Sequence, residues 1–228
     1  MSHPDLPTRI RSTTILGLVR GGRASMGGDG QVTIDTFIVK AQAHKIRTMH
    51  EGRILTGFAG AAADAFTLFE RFEDKLNTFK GNLPRAAVEM AKDWRTDRYL
   101  RRLDALLAVM DTQHGFILSG TGDIIEPDDG ILAIGSGGPY ALAAARSLIA
   151  FTDQTPHEIV HNAMSIAADI CIFTNNQFEI ADLGPEGPAT LAHVQVSNLK
   201  TGAMHGEPVP ALEAPQKSLP RNTRTVQK

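Results

Sequence analysis

The chain has 228 residues, of which 42% are apolar, and its formal net charge at pH 7 is −2. This length predicts one domain, or one domain with a tail. The balanced charge gives no global basic field for nucleic acid or an anionic membrane, and no apolar run reaches the roughly 20 residues that span a bilayer. The single cysteine, Cys171, excludes an intrachain disulfide and favours a reducing compartment. We therefore expect a soluble, cytoplasmic protein.

The first part of the chain predicts a series of short strands separated by turn residues. Their predicted bounds are Thr14 to Val19, Arg23 to Met26, Val32 to Ile34, Phe37 to Val39, Lys45 to Met49 and Arg53 to Phe58. The glycine-rich stretch 27–30 is predicted to be a turn, which places Asp29 in that turn and Lys45 at the start of a later strand.

Helical periodicity begins after residue 60. Apolar residues at three- and four-residue steps predict one helix over about 61–79 and a second from Pro84 to about Leu103. Strands are predicted to return at Leu106–Met110, Gly115–Leu118 and Ile131–Ile134. Two more helices are predicted, one beginning near Tyr140 and one at Thr155-Pro156, with a closing strand at Phe178–Ala181.

This order of elements favours an α+β fold over alternating βαβ units. Two mainly antiparallel sheets would pack face to face, with one helix pair on each outer side. After Leu183 the composition shifts, since six of the 12 prolines follow it, and we predict that 184–228 is a disordered tail. A stray strand at Leu191–Val196 is the weaker alternative within this tail. The predicted organisation is a leader at 1–12, one domain at 13–183 and the tail.

A hydroxyl nucleophile stands at the head of the first strand, behind the polar leader. If the chain is cut between Ser12 and Thr13, Thr13 carries both a nucleophilic hydroxyl and a free amine. That amine can act as the base for its own hydroxyl. The alternative is an ordinary strand with threonines, which strands favour.

His157-Glu158-Ile159-Val160-His161 is a literal H-E-x-x-H motif, which on a helix can bind zinc beside a general base. Thr155 and Glu158 form a capping-box pattern that already gives Glu158 a role. At helical spacing the two histidines fall nearly opposite the apolar face, and no third ligand follows at a recognisable spacing. A zinc metalloprotease is thus kept only as an alternative.

The stretch Gly135-Ser136-Gly137-Gly138 before a helix lacks the lysine of a P-loop and the third glycine of a dinucleotide motif. No Walker A motif occurs in the sequence, so any ATP dependence must come from a partner. The segment predicts a tight strand-to-helix turn, and Ser136 could present its hydroxyl at a sheet end.

Several stretches together resemble the HslV (ClpQ) family of proteasome-like peptidases over about residues 13–182. They are Thr13-Thr14-Ile15, Gly28-Asp29-Gly30-Gln31, Lys45, Gly57-Phe58-Ala59-Gly60, Ala63-Asp64-Ala65-Phe66-Thr67-Leu68-Phe69, Lys92-Asp93-Trp94-Arg95-Thr96-Asp97-Arg98, Ile134-Gly135-Ser136-Gly137-Gly138-Pro139-Tyr140 and Asp169-Ile170-Cys171-Ile172. The resemblance implies an N-terminal-nucleophile hydrolase fold, a four-layer αββα sandwich. It also implies a homo-oligomer of two stacked hexameric rings that degrades unfolded proteins delivered by the AAA+ unfoldase HslU.

The same resemblance implies the site. Thr13 becomes the mature N-terminus and nucleophile, and its amine shuttles the proton. Lys45 supplies positive charge beside the hydroxyl, and Asp29 pairs with Lys45. The backbone N–H of Gly57 faces the oxyanion, and Ser136 hydrogen-bonds around the Thr13 amine.

The resemblance further implies a sodium ion held by backbone carbonyls of Ala168, Cys171 and Thr174, and no nucleotide bound by this chain. The family usually has glycine at the first of these positions.

The leader departs from the pattern, because many relatives expose their threonine simply by losing methionine. We therefore expect cleavage between Ser12 and Thr13, by an autocatalytic route. A non-catalytic ring subunit, which would retain its leader, and a small-molecule amidase on the same fold stay open as alternatives.

Overall fold

The computed structural model describes residues 13–97, 105–185 and 187–195. The strands are β1 (Thr14–Arg20), β2 (Arg23–Asp29), β3 (Val32–Ile34), β4 (Phe37–Lys40), β5 (Ile46–Met49), β6 (Ile54–Gly60), β7 (Ala105–Met110), β8 (Gly115–Ser119), β9 (Ile124–Ile125), β10 (Ile131–Gly135), β11 (Gln177–Leu183) and β12 (Thr190–Gln195). The helices are α1 (Ala62–Thr78), α2 (Leu83–Thr96), α3 (Gly138–Phe151) and α4 (Pro156–Ile170).

Two five-stranded antiparallel sheets form the centre of the fold. One has the order β10-β1-β2-β11-β12 and the other the order β5-β6-β7-β8-β9, while β3 and β4 form a separate hairpin. Helices α3 and α4 pack on the first sheet, and α1 and α2 pack on the second. The predicted α+β, four-layer αββα sandwich is confirmed.

The core between the two sheets is built by alternation along each strand. On β1, Ile15 packs between the sheets, whereas Leu16 and Leu18 face α3 and α4. Met26 and Leu55 meet Ile15 in the inter-sheet layer, and all three are fully buried. Because side chains alternate with a period of two, this packing fixes the register of β1 and with it the position of Thr13.

The glycine-rich stretch is a strand and not the predicted turn. Gly27, Gly28 and Asp29 are the last residues of β2. A side chain on Gly27 would place its Cβ 2.7 Å from Val160 Cγ1, and one on Gly28 would come within 2.9 Å of Ile15 Cδ1. The glycines therefore allow close packing of α4 and the opposite sheet, and they bring Asp29 into the protein interior.

The domain extends beyond the predicted boundary at residue 183. Strand β12 pairs antiparallel with β11, and the Ala189 N–H donates to the Gly52 carbonyl at 2.7 Å. The prediction of disorder for 184–228 is therefore wrong at 187–195, because ladder hydrogen bonds and the contact of Pro188 with Gly52 hold a segment whose composition indicated a tail. The alternative of a strand at Leu191–Val196 is confirmed over 191–195. Residues 196–228 and the leader 1–12 lie outside the described residues.

Two further differences from the predictions concern the end of helix α2 and the presence of strand β9. Helix α2 ends at Thr96, and the predicted extension to about Leu103 falls mostly outside the described residues. The two-residue strand β9 was not predicted, because so short a strand has no measurable alternation. Among the described residues, no helix is long and apolar enough to cross a membrane.

Candidate active site

Thr13 lies at the head of β1, in the interior of the first sheet. Its neighbour Thr14 is in register with Gly135 of β10, and Ile15 with Gly28 of β2. Thr13 is only 6% exposed. Gly135 has a positive φ of 86°, and a Cβ at this position would collide with the Thr13 carbonyl oxygen. Glycine at this position thus permits the tight turn that closes over the start of β1.

The carboxylate of Asp29 is fully buried beside this strand head. Its Oδ1 accepts from the Thr14 N–H at 2.7 Å and from Lys45 Nζ at 2.8 Å. Its Oδ2 accepts from the backbone N–H groups of Gln31 at 3.0 Å and Asn175 at 3.4 Å. A carboxylate with four such donors is fixed in position, and it joins Lys45 to the residue that follows Thr13.

The Lys45 ammonium is also buried, with 3% of the residue exposed. Besides Asp29, it donates to the Gln31 carbonyl oxygen at 2.6 Å. Burial lowers the pKa of Lys45 from its ordinary value, and the charge of Asp29 opposes that shift. The predicted pairing of Asp29 with Lys45 is therefore present in the structure.

Two residues of this network were not identified from the sequence. Gln31 binds Asp29 through its N–H and Lys45 through its carbonyl. Asn175 donates its side-chain amide to the Ala41 carbonyl at 2.8 Å and accepts from the Gly30 N–H. The bond from Gln31 N–H back to the Asp29 side chain has the two-residue spacing of an Asx turn, a signal that Asp-Gly-Gln carries in the sequence. Nothing local to Asn175 indicates its role.

The side chain of Thr14 is engaged away from the network. Its Oγ1 lies 2.7 Å from Oγ1 of Thr174, and both residues are buried. Ser136 donates through Oγ to the Thr13 carbonyl oxygen at 3.4 Å. Ser136 thus lies beside Thr13, and its hydrogen bond to the Thr13 amine of a cleaved chain stays a prediction.

Gly57 does not lie at an open position. It is opposite Ile46 of β5 on one side and Ala108 of β7 on the other. In an antiparallel ladder, a residue paired on both edges has a carbonyl available for its N–H. The glycine serves packing, because a Cβ would be 2.7 Å from Ile15 Cγ2. Ladder pairing on both edges therefore argues against the prediction that the Gly57 N–H faces an oxyanion.

The three predicted sodium ligands follow one another at the end of α4. Ala168 lies in the last turn, Cys171 is the C-cap, and the Thr174 N–H donates to the Cys171 carbonyl at 3.0 Å. The last carbonyls of a helix lack intrahelical partners, and a helix C-terminus favours cations. The donor chemistry therefore fits a small hard cation.

The H-E-x-x-H residues of α4 do not converge. His157 Nδ1 lies 2.7 Å from Asp182 Oδ2, and His161 Nδ1 lies 3.3 Å from Asn162 Oδ1. Glu158 accepts from the Thr155 N–H at 2.8 Å in the predicted capping box. Both histidines are half-buried, and the helix cap occupies the supposed general base.

Comparisons with known proteins agree with this geometry. The proteasome-subunit family matches residues 10–183. The ATP-dependent protease subunit HslV of Chlorobium luteolum is 54% identical over 183 residues, covering 80% of this chain and all of the relative. The HslV subunit of Syntrophobacter fumaroxidans is 59% identical over 176 residues, covering 77% of this chain and 98% of the relative.

A solved structure is similar over the same region. The crystal structure of eukaryotic HslV from Trypanosoma brucei superposes with a TM-score of 0.71 at 43% identity, covering 75% of this chain and 99% of that one. The N-terminal-nucleophile architecture, the buried Asp29–Lys45 pair beside Thr13 and these relatives agree. The chain therefore belongs to the proteasome-subunit family and, within it, to the HslV proteins.

Proposed function

We propose that Thr13 is the nucleophile of this protease subunit, acting after removal of residues 1–12. The chain is the proteolytic component of an ATP-dependent protease of the HslUV type, and it has threonine-protease chemistry. The observation that carries the assignment of Thr13 is the shared Oδ1 of Asp29, which binds both the Thr14 N–H and the Lys45 ammonium. This shared acceptor holds a positive charge beside the start of β1.

In this proposal, the Thr13 hydroxyl attacks the carbonyl carbon of a substrate peptide and forms an acyl-enzyme, which water hydrolyses. The α-amine of Thr13 accepts the hydroxyl proton and passes it to the leaving amine. An α-amine has an ordinary pKa of about 7.7–8.0, which suits proton transfer near neutral pH. Lys45 contributes positive charge, and Asp29 holds Lys45 in place.

The oxyanion donor is proposed to come from the end of β6 and not from Gly57. Strand β5 begins at Ile46, opposite Gly57, so the residues from Phe58 to Gly60 extend past its end. Lys45 precedes Ile46, and because β5 and β6 are antiparallel, the extension of β6 runs toward the same end of the sandwich. The residues from Phe58 to Gly60 still pair with β7 on one edge, so only an N–H that points to the β5 edge is open to a ligand. One such donor contributes about 2.7–4 kcal/mol to catalysis.

A sodium ion is proposed at the carbonyls of Ala168, Cys171 and Thr174. The ion would hold the end of α4 and the loop that carries Thr174, whose hydroxyl contacts Thr14. Sodium chloride should raise the thermal midpoint more than choline chloride at equal ionic strength. Equal midpoints in the two salts would contradict the site.

The assembly is proposed to be two stacked hexameric rings in the cytoplasm, working with an HslU ATPase on unfolded proteins. The relatives are named as subunits of an ATP-dependent protease, which supports an ATPase partner for this chain. The mass of the purified particle tests the ring. Degradation of an unfolded protein with and without the ATPase and ATP tests the partnership.

Intact mass combined with peptide hydrolysis tests Thr13 directly. The active wild-type chain should begin at Thr13. Thr13→Ala should retain the leader and lose at least about 10³-fold in hydrolysis, while Thr13→Ser, which keeps a hydroxyl, should be processed and active. An active preparation whose chains still begin at Met1 or Ser2 would overturn the mechanism.

A further inference from the structure

A buried carboxylate lies outside the catalytic network, on β11. Glu179 of β11 is only 6% exposed. Its neighbours Phe178 and Ile180 pack toward α4, whereas Ala181 belongs to the core between the sheets. By strand alternation, Glu179 therefore points toward the inter-sheet layer, where an apolar residue would be expected.

This carboxylate is only partly satisfied. Glu179 Oε1 lies 3.4 Å from His44 Nδ1, but Oε2 has no hydrogen-bond partner among the residues that the structure describes. A buried carboxylate oxygen without a partner carries a substantial desolvation cost. Such an atom in a native fold is often explained by a ligand or ion that completes its surroundings.

Two histidines converge on Glu179 from separate elements. His193 is directly opposite Glu179 in the β11–β12 pairing, and paired residues of neighbouring strands share one face of a sheet. His44 comes from the segment before β5, and its ring lies 5.3 Å from that of His193, edge to face. One ligand atom from each of the three residues lies within 4.8 Å of the other two.

The surroundings leave room for an ion. The three residues line a cavity of about 430 Å³ that also contains the polar side chains of Gln42 and Gln177. Both histidines are exposed, so a small rotation of either ring can close the site.

We propose that His44, Glu179 and His193 bind a zinc ion that fastens β12 to the segment preceding the catalytic lysine. Two imidazoles and one carboxylate are a donor set that zinc binds, leaving a fourth position for water. The ion would neutralise Glu179 and bind Oε2. It would also join β12 and the residue before Lys45 to β11.

The proposed zinc site does not include the H-E-x-x-H residues of α4. A histidine variant in α4 therefore serves as a control for zinc binding at the proposed site. Zinc binding is measured on the full-length chain by equilibrium dialysis with zinc chloride and elemental analysis, with calcium chloride as the comparison ion. Cobalt chloride supplies an absorption spectrum that reports tetrahedral nitrogen and oxygen ligands. The variants are Glu179→Gln and His193→Ala, with His157→Ala as the matched histidine control.

We expect one zinc per chain in the wild type and in His157→Ala, with no comparable binding of calcium. Because outer-shell partners alone change metal affinity by about 10–100-fold, loss of a ligand should weaken zinc by about 100-fold or more in Glu179→Gln and His193→Ala. Thermal midpoints measured without metal show that each variant is folded. The same binding by Thr13→Ala would show that the site does not depend on proteolytic activity.

Three results would overturn the proposal. The first is a wild type that binds no stoichiometric zinc, in which case His44 and Glu179 form only a direct side-chain contact. The second is zinc retained at wild-type affinity by either ligand variant. The third is zinc lost from His157→Ala but kept by His193→Ala, which would assign the metal to α4.

Discussion

Asp29 and Lys45 form a buried ion pair in which Oδ1 and Nζ lie 2.8 Å apart. The pair joins the end of β2 to the segment before β5, and thus the first sheet to the second. Through the Thr14 N–H it also fixes the backbone next to Thr13. In the proposed mechanism, the same two side chains contribute both to the packing of the sandwich and to the chemistry of Thr13.

Replacing both Asp29 and Lys45 should restore much of the stability that is lost in the single variants, but not the peptidase activity. Lys45→Met or Asp29→Asn alone leaves an uncompensated buried charge, which costs about 3–5 kcal/mol. The double variant leaves neither charge and should recover much of the urea unfolding midpoint. Peptide hydrolysis should stay at least about 10²-fold below wild type in all three variants. Recovery of hydrolysis in the double variant would show that the pair has only a structural role.

Gly27 should tolerate no side chain while Val160 is present. Gly27→Ala places a Cβ 2.7 Å from Val160 Cγ1, and overpacking of this kind costs about 1–3 kcal/mol. Gly184→Ala is the matched control, because no atom lies within 4 Å of its added Cβ. In a double-mutant cycle, Gly27→Ala with Val160→Ala should be less destabilised than the sum of the single variants. An additive cycle would contradict the contact.

Thr14 and Thr174 provide a threonine control for Thr13. Their hydroxyls bind each other in a buried position, so valine at either one leaves the other unsatisfied at a cost of about 1–3 kcal/mol. The Thr14→Val, Thr174→Val double variant should be closer to wild type in its unfolding midpoint. Intact mass should still show chains beginning at Thr13. Loss of processing in Thr14→Val as complete as in Thr13→Ala would weaken the assignment of Thr13.

The capping box of α4 predicts a pH dependence of stability. The N–H and hydroxyl of Thr155 bind the Glu158 carboxylate and lower the pKa of Glu158 from its ordinary value of 4.5. Because the folded-state pKa is depressed, the stabilisation is present above pH 4.5 and is lost as the pH falls through the folded value. Thermal midpoints between pH 6 and pH 3 should therefore fall less steeply in Glu158→Gln than in wild type. Equal slopes would contradict the capping role.

The Glu158→Gln variant also tests the alternative that the chain is a zinc metalloprotease. A helix cap has no part in peptide hydrolysis, so Glu158→Gln should keep wild-type activity on a short peptide. Activity should also persist in the presence of a chelator. A loss of about 10³-fold in this variant would instead give Glu158 the role of a general base.

Much of the architecture could be predicted from local patterns. The alternation on β1 and the helical period of α1 are strong signals, and the order of strands and helices predicted two sheets with a helix pair on each side. The glycines at 27–30 were misinterpreted, because a turn was predicted there and residues 27–29 are the end of strand β2. A glycine required by a neighbouring helix cannot be distinguished, in sequence, from a glycine required by a turn, because Val160 is far away along the chain.

The site divides in a similar way. Asp29, Lys45 and Thr13 carry chemistry that their residue types and the family resemblance indicate, and the structure brings Asp29 and Lys45 together beside the head of β1. The hydrogen bonds of Asn175 and the pairing of Gly57 with two neighbouring strands depend on contacts between elements that are distant in sequence. The cluster of His44, Glu179 and His193 required β12, a strand that the proline-rich composition of its region argued against.

The sequence by itself determined the chain order of the strand and helix groups and the residue types of Thr13, Asp29 and Lys45, because periodicity and side-chain chemistry are local properties. Only the tertiary structure decided which oxygen of Asp29 each donor binds, that Ser136 contacts the Thr13 carbonyl, and that β12 places His193 opposite Glu179. These are distances between residues far apart in the chain, and they are set when the two sheets pack and bury the side chains between them.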